Sequence, residues 1–280
     1  MEKMHIVFDI DKCVGCYNCL IACQDEFVGN DWLPFTEAQE KHGEKWLKTT
    51  RHERGKAPIT EVSFVTEMCR HCGNAACEKA FPEAVIRRED GIVLLNPQKA
   101  KGNKDLVKAC PYGMIKWNEE RQTAQKCTMC AHLLDEGYAQ PRCVEACPNE
   151  ALFFGDLDDP ESEVSKVIAA NKATPLKPLE GQETNVSYLN IPTVFLAGSV
   201  YLPGDETGED PADGATVTLT CRETGEVVTV KTNYFGDWEA EWLTPNATYD
   251  IKIEMAGYQS VTLTAATDTD HYVQETILKA

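Results

Sequence analysis

Of the thirteen cysteines in this chain, twelve crowd into four short runs between Cys13 and Cys147. Few folds can hold thiols at that density, and the spacing narrows them further. Cys13-Val14-Gly15-Cys16-Tyr17-Asn18-Cys19, with Cys23 behind it, is a C-x2-C-x2-C-x3-C run. In such a run three thiolates hold one iron–sulfur cubane and the fourth reaches across to another. Twelve thiolates, four to a cubane, make three [4Fe–4S] clusters, with iron bound through these same cysteines.

The second run is Cys69-x2-Cys72-x4-Cys77, followed by Phe81-Pro82 where a ferredoxin has Cys-Pro. The third keeps only Cys110-Pro111, and counting back by the ferredoxin spacing leads to Leu106, Asn103 and Ala100. The fourth is Cys127-x2-Cys130 and, after a twelve-residue excursion, Cys143-x3-Cys147-Pro148. An internal repeat supports this register. Phe81-Pro82-Glu83-Ala84-Val85-Ile86, Cys110-Pro111-Tyr112-Gly113-Met114-Ile115 and Cys147-Pro148-Asn149-Glu150-Ala151-Leu152 each close a loop with proline and enter an apolar strand. A hairpin turned at Asp90-Gly91 follows the first of them.

Two ferredoxin-like lobes that exchange their last cysteines account for this pattern. Cys13, Cys16, Cys19 and Cys147 then hold cluster 1. Cys23, Cys127, Cys130 and Cys143 hold cluster 2, and Cys69, Cys72, Cys77 and Cys110 hold cluster 3. A fourth cluster would need positions 81, 100, 103 and 106, and all four lack cysteine. The losses fall on one complete site.

Zinc is the rival metal, since C-x2-C pairs also build zinc ribbons. The tight triplet Cys13-Cys16-Cys19 does not suit a tetrahedral site assembled from two separated pairs. A disulfide framework is weaker still, because nothing marks the chain as secreted. Short loops of this kind point backbone N–H groups at cluster sulfurs, and apolar neighbours such as Val14, Leu20, Ile21 and Met129 limit water. Lys12 and Lys126, each directly before a cluster cysteine, either offset cluster charge or are solvated.

At 280 residues there is room for about two domains. The net charge of −18 argues against nucleic acid and against an anionic membrane surface. No apolar stretch is long enough for direct membrane insertion. Neither a signal-peptide core nor a twin arginine is present near the N-terminus, so the expectation is a cytoplasmic protein, or one co-exported with a twin-arginine-bearing partner.

The expected organisation is an iron–sulfur domain over 1–155, with an insertion at 24–68, then a linker over 156–190 and a β domain over 191–280. Pro175 and Pro178 mark the linker boundary, and a short helix is expected near Glu161–Ile168. Residues 191–280 hold 15 acidic and 4 basic side chains, read as a solubility feature. Alternating runs at Thr216–Thr220, Val227–Val230, Thr248–Ile253 and Val261–Thr264 suggest a small all-β immunoglobulin- or prealbumin-like sandwich. The fold class is therefore α+β, with tandem ferredoxin-like [4Fe–4S] lobes preceding that sandwich. Cys221 lies on a predicted strand and reads as a packed thiol. The insertion carries Trp32, Phe35, His42, Trp46, His52 and Arg51-His52-Glu53-Arg54, which suit either an interface or packing on its own lobe.

With this register, residues 1–155 resemble the iron–sulfur (small, or beta) subunits of the dimethyl-sulfoxide-reductase superfamily of molybdenum enzymes. Their usual pattern has sixteen cysteines and four clusters. The twelve-cysteine pattern, Trp117-Asn118-Glu119-Glu120, the stretch Ala124–Asp135 and the C-terminal β domain resemble small subunits of the pyrogallol–phloroglucinol transhydroxylase and catechol dehydroxylase type, over the whole chain. The family departs from this chain at Gln24, where a proline would follow Cys23; that places the local turn in doubt, not the ligand.

The resemblance implies a large catalytic partner carrying molybdenum bis-pterin guanine dinucleotide, with an electron-donor protein or membrane subunit possible beyond it. This chain would be the non-catalytic electron-transfer subunit, with no activity alone. In a dehydroxylase it would deliver electrons for removal of a ring hydroxyl; in a transhydroxylase net electron flow is zero. The alternative from another class is a freestanding polyferredoxin carrier.

Overall fold

A computed structural model describes residues 3–57, 59–171, 173–176, 183–204 and 208–280. Pro178, one of the two expected boundary prolines, lies outside the described residues. The chain divides into two compact units, Met1–His52 with Ser63–Ile191, and Glu53–Val62 with Pro192–Ala280.

Along the chain the first elements are β1 (Met4–Asp9), α1 (Asn18–Phe27), the paired strands β2 (Lys48–Lys56) and β3 (Ile59–Glu67), and α2 (Ala76–Ala80). The hairpin β4 (Val85–Arg87) and β5 (Val93–Leu95) follows, then α3 (Pro97–Ala100) and a 3-10 turn over Lys104–Ala109. Next come the hairpin β6 (Lys116–Asn118) and β7 (Thr123–Gln125), α4 (Ala131–Asp135), α5 (Arg142–Glu145), β8 (Leu152–Asp156), α6 (Glu163–Ala170) and β9 (Val186–Leu189). Short helices and short hairpins dominate because the cysteine loops interrupt the chain before any element grows long.

The first unit is organised on β1, whose Ile6, Val7 and Phe8 are all fully buried. A strand buried on both faces sits best in the middle of a sheet. β1 does so, pairing antiparallel with β8 and parallel with β9. This corrects the expected linker over 156–190. Val164 of α6 packs with Val7, Phe153 and Leu189, and β9 completes the sheet. On α6, Glu163 and Lys166 are exposed while Val164 is buried.

The insertion divides between the units: Glu53–Val62 groups with the second, and its aromatics Trp32 and Trp46 pack in the first. Trp46 is buried, with its ring 4.6 Å from that of Phe27, and Trp32 stacks on His132 at 4.4 Å. These aromatics belong to the core of the first unit, or lie packed against it.

In the second unit, β10 (Val194–Leu202), β11 (Asp210–Pro211), β12 (Thr216–Cys221) and β13 (Val227–Lys231) precede β14 (Asp237–Leu243), β15 (Thr248–Glu254), β16 (Val261–Ala266) and β17 (His271–Ile277). One sheet orders β11-β10-β14 with β17 parallel to β10, and the other orders β13-β12-β15-β16. β12 alternates half-buried threonines with buried Val217, Leu219 and Cys221, the period of a strand with one inward face. Leu196, Val200, Trp238 and Ala240 of the first sheet share a core with Val217, Leu219, Tyr249 and Ile251 of the second. Cys221 is part of that core. No helix among the described residues is long and apolar enough to cross a membrane.

Candidate metal centres

The loop between β1 and α1 carries Cys13 and Cys16 of the first run, and α1 itself carries Cys19. Left-handed residues at Gly15 (φ 67°) and Tyr17 (φ 63°) coil the loop tightly, and the Tyr17 carbonyl accepts from the N–H groups of Leu20 and Ile21 to start α1. Gly15 has no substitute here, since a Cβ would stand 2.5 Å from the Phe64 ring. The same coiling recurs at His71 (φ 43°), between Cys69 and Cys72, and at Met129 and Cys130 (φ 55° and 52°). Cys23 lies on α1, Cys77 on α2 and Cys143 on α5, while Cys110 and Cys147 follow the 3-10 turn and α5.

The thiols gather in three groups. Cys13, Cys16, Cys19 and Cys147 line one cavity of about 370 Å3 with its mouth included. Cys69, Cys72, Cys77 and Cys110 line another of about 400 Å3. Cys23, Cys127, Cys130 and Cys143 are all buried, and the neighbouring thiols of the other three raise the pKa of Cys23. The groups also touch in a fixed order. Cys19 is close enough to raise both Cys23 and Cys143, and Cys69 to raise Cys127. Group one therefore adjoins group two, and group two adjoins group three.

Burial is the main cause pushing up the thiols of Cys13, Cys19, Cys23, Cys72, Cys77, Cys127, Cys130 and Cys143, with neighbouring sulfurs adding to it. Cys19 and Cys127 rise to about 11, Cys72 and Cys130 to about 12, and Cys23 and Cys143 lie well above the usual thiol range. Thiols so placed cannot ionise together unless cations sit among them. Backbone donors are already aimed at sulfur: Met129 N–H at Cys127 Sγ (3.3 Å), Ala151 N–H at Cys147 Sγ (3.3 Å) and Met114 N–H at Cys110 Sγ (3.4 Å). None of the thirteen cysteines is in a disulfide. Convergent thiols in fours, with N–H groups directed at their sulfurs, fit a four-iron cubane.

The positions that would complete a fourth site are closed by packing. Ala100 and Leu106 are fully buried in a cluster with Ala84, Val85, Leu95, Ile115 and Ala124, and Phe81 packs against it.

Several contributors carry no sequence signal. His132 Nε2 meets Glu26 Oε1 at 3.1 Å, and Glu26 Oε2 meets Arg142 Nε at 3.3 Å. This network ties α1, α4 and α5 around the second group, and its partners come from distant parts of the chain. Lys12 is exposed, with its ammonium 4.7 Å over the Phe153 ring; Lys126 is buried.

Comparison with known proteins places these features in context. A family model described as a 4Fe-4S dicluster domain matches residues 60–157. The chain is 36% identical over 263 residues to the pyrogallol hydroxytransferase small subunit of Pelobacter acidigallici, covering 92% of each. It is 30% identical to the arsenate respiratory reductase iron-sulfur subunit of Shewanella sp. (strain ANA-3), covering 67% of this chain and 96% of that one. A tetrathionate reductase subunit of Salmonella typhimurium is 32% identical, covering 70% of this chain and 75% of the relative.

Proposed function

Because the chain belongs to the iron–sulfur subunits of the molybdopterin oxidoreductases, we propose that it is the electron-transfer subunit of a two-component enzyme acting on a hydroxylated aromatic. The observation that carries this reading is the convergence of twelve thiols in three groups of four, all lying in or near the core of the first unit. Cys13, Cys16, Cys19 and Cys147 would hold the first [4Fe–4S] cluster, Cys23, Cys127, Cys130 and Cys143 the second, and Cys69, Cys72, Cys77 and Cys110 the third. When bound, such clusters exchange single electrons at potentials set by their surroundings.

The protein's own contribution is insulation and spacing. The middle group is wholly buried and the outer groups are half-open, with Cys16 exposed at one end. Electrons thus enter and leave most readily at the half-open groups. The chain itself is non-catalytic in this reading, and the reaction belongs to a large partner carrying molybdenum bound by two pterin guanine dinucleotides. The lobes around the cysteines are ferredoxin-like, and the second unit is an immunoglobulin- or prealbumin-like sandwich without chemistry of its own.

Within this class we favour a catechol-type dehydroxylase, since an insulated relay serves a reaction that consumes electrons. The similarity to the pyrogallol hydroxytransferase small subunit over 92% of both chains favours a second reading, a transhydroxylase with no net electron flow. The purified complex decides between them. Stoichiometric oxidation of a reduced low-potential donor as a catechol hydroxyl is lost supports the first; hydroxyl transfer between two phenols with no donor consumed establishes the second.

A further inference from the structure

Lys126 follows β7 directly and is 3% exposed. Its ammonium donates to the carbonyl of Val93 and, at 3.1 Å, to that of Cys127. No carboxylate among the described residues pairs with it. Two carbonyl dipoles do not neutralise a full charge held away from water, and a buried ammonium without an anion is strongly disfavoured. The anion has to come from what shares its cavity, where the imidazole of His71 and the cation Arg70 supply none and the thiols of the third group are the sources left. Lys126 lines the cavity of the third cysteine group. The carbonyl that it bonds at 3.1 Å belongs to Cys127 of the second group. Lining one group's cavity and bonded to the backbone of a cysteine in the other, it stands between the two. The other lysine next to a cysteine run, Lys12, is exposed to solvent.

We propose that Lys126 is a shared counter-charge for the second and third clusters, raising the reduction potentials of both. The inference rests on the three-cluster reading. Adding an electron makes a cluster more negative, so a fixed cation in a low-dielectric setting favours the reduced form. The third cluster, whose cavity the ammonium lines, gains most, and the first gains nothing.

The test is a redox titration of the assembled complex with dithionite and mediators, read by electron paramagnetic resonance. Lys126→Gln and Lys126→Met should lower the midpoint potentials of the third and second clusters and leave the first in place. Lys126→Arg should leave all three near the parent values. Unchanged potentials in the neutral variants, or an equal shift at all three clusters, overturn the proposal. If the neutral variants lose iron from the second and third sites, Lys126→Arg decides. Retention there supports a requirement for charge, and loss there too makes the side chain a packing element and overturns it. A parent complex with fewer than three clusters fails before any variant is compared, and sinks the cluster assignment together with this inference.

Discussion

Gly15 shows how one residue can decide whether a metal site forms. Its φ of 67° and the Phe64 ring 2.5 Å from where a Cβ would stand act together. The left-handed conformation alone costs a side chain about 1–2 kcal/mol, and the collision adds to that. If the chain holds three cubanes, Gly15→Ala should empty the first cysteine group selectively and lower iron from about twelve to about eight atoms per chain at four per cubane. Iron assay with cluster spectroscopy checks this, and uniform loss from all three groups would count against it. At this scale the cysteines are legible in the sequence, because their spacing is local and the metal chemistry dictates it. Phe64 above Gly15, and Glu26 and Trp32 on His132, are not legible. Those pairings depend on how distant segments pack, and nothing in the local pattern encodes them.

Secondary elements divide in a similar way. β12, β13, β15 and β16 fall where alternation places them, since each has one inward and one outward face. The hairpin β4–β5 turns at Gly91 (φ 81°), as Asp90-Gly91 suggests. By contrast, β9 is hidden in a polar stretch, and the parallel pairing of β10 with β17 joins segments that no local signal connects. In the second unit, β14 and the part of β3 grouped with it bring Glu61, Glu239 and Glu241 together, with carboxylate oxygens within 4.8 Å of one another. Burial and these two like charges push Glu239 up from 4.5 to about 7, against a smaller opposing pull from Arg54. The folded form therefore binds a proton that the unfolded chain has released, and stability falls as pH rises from about 4.5 to about 7. Glu239 is partly exposed, so screening trims the effect to about 1 kcal/mol or less. Glu239→Gln should flatten this dependence and raise the melting temperature of the second unit at pH about 8 relative to the parent; calorimetry at several pH values checks it.

On the scale of the whole molecule, the two units depend on metal to different degrees. Cys23, Cys69, Cys127, Cys130 and Cys143 are members of the main core of the first unit, so its folding is coupled to the metal. The core of the second unit is built from Leu219, Trp238, Tyr249 and their neighbours, with Cys221 as an ordinary packed thiol. Stripping iron with oxidant and chelator should therefore unfold the first unit and spare the second. Limited proteolysis should then leave a β-rich fragment beginning near Pro192, whereas complete digestion would show that the sandwich cannot stand alone.

The apolar knot of Phe81, Ala100 and Leu106 has a consequence for traffic. On the three-cluster reading, these packed side chains leave no berth for a further cube beside the third, which then stands at one terminus of the line. A carrier that boards at this terminus meets the exposed residues Gly73, Asn74 and Pro111, and its dock would lie on that rim.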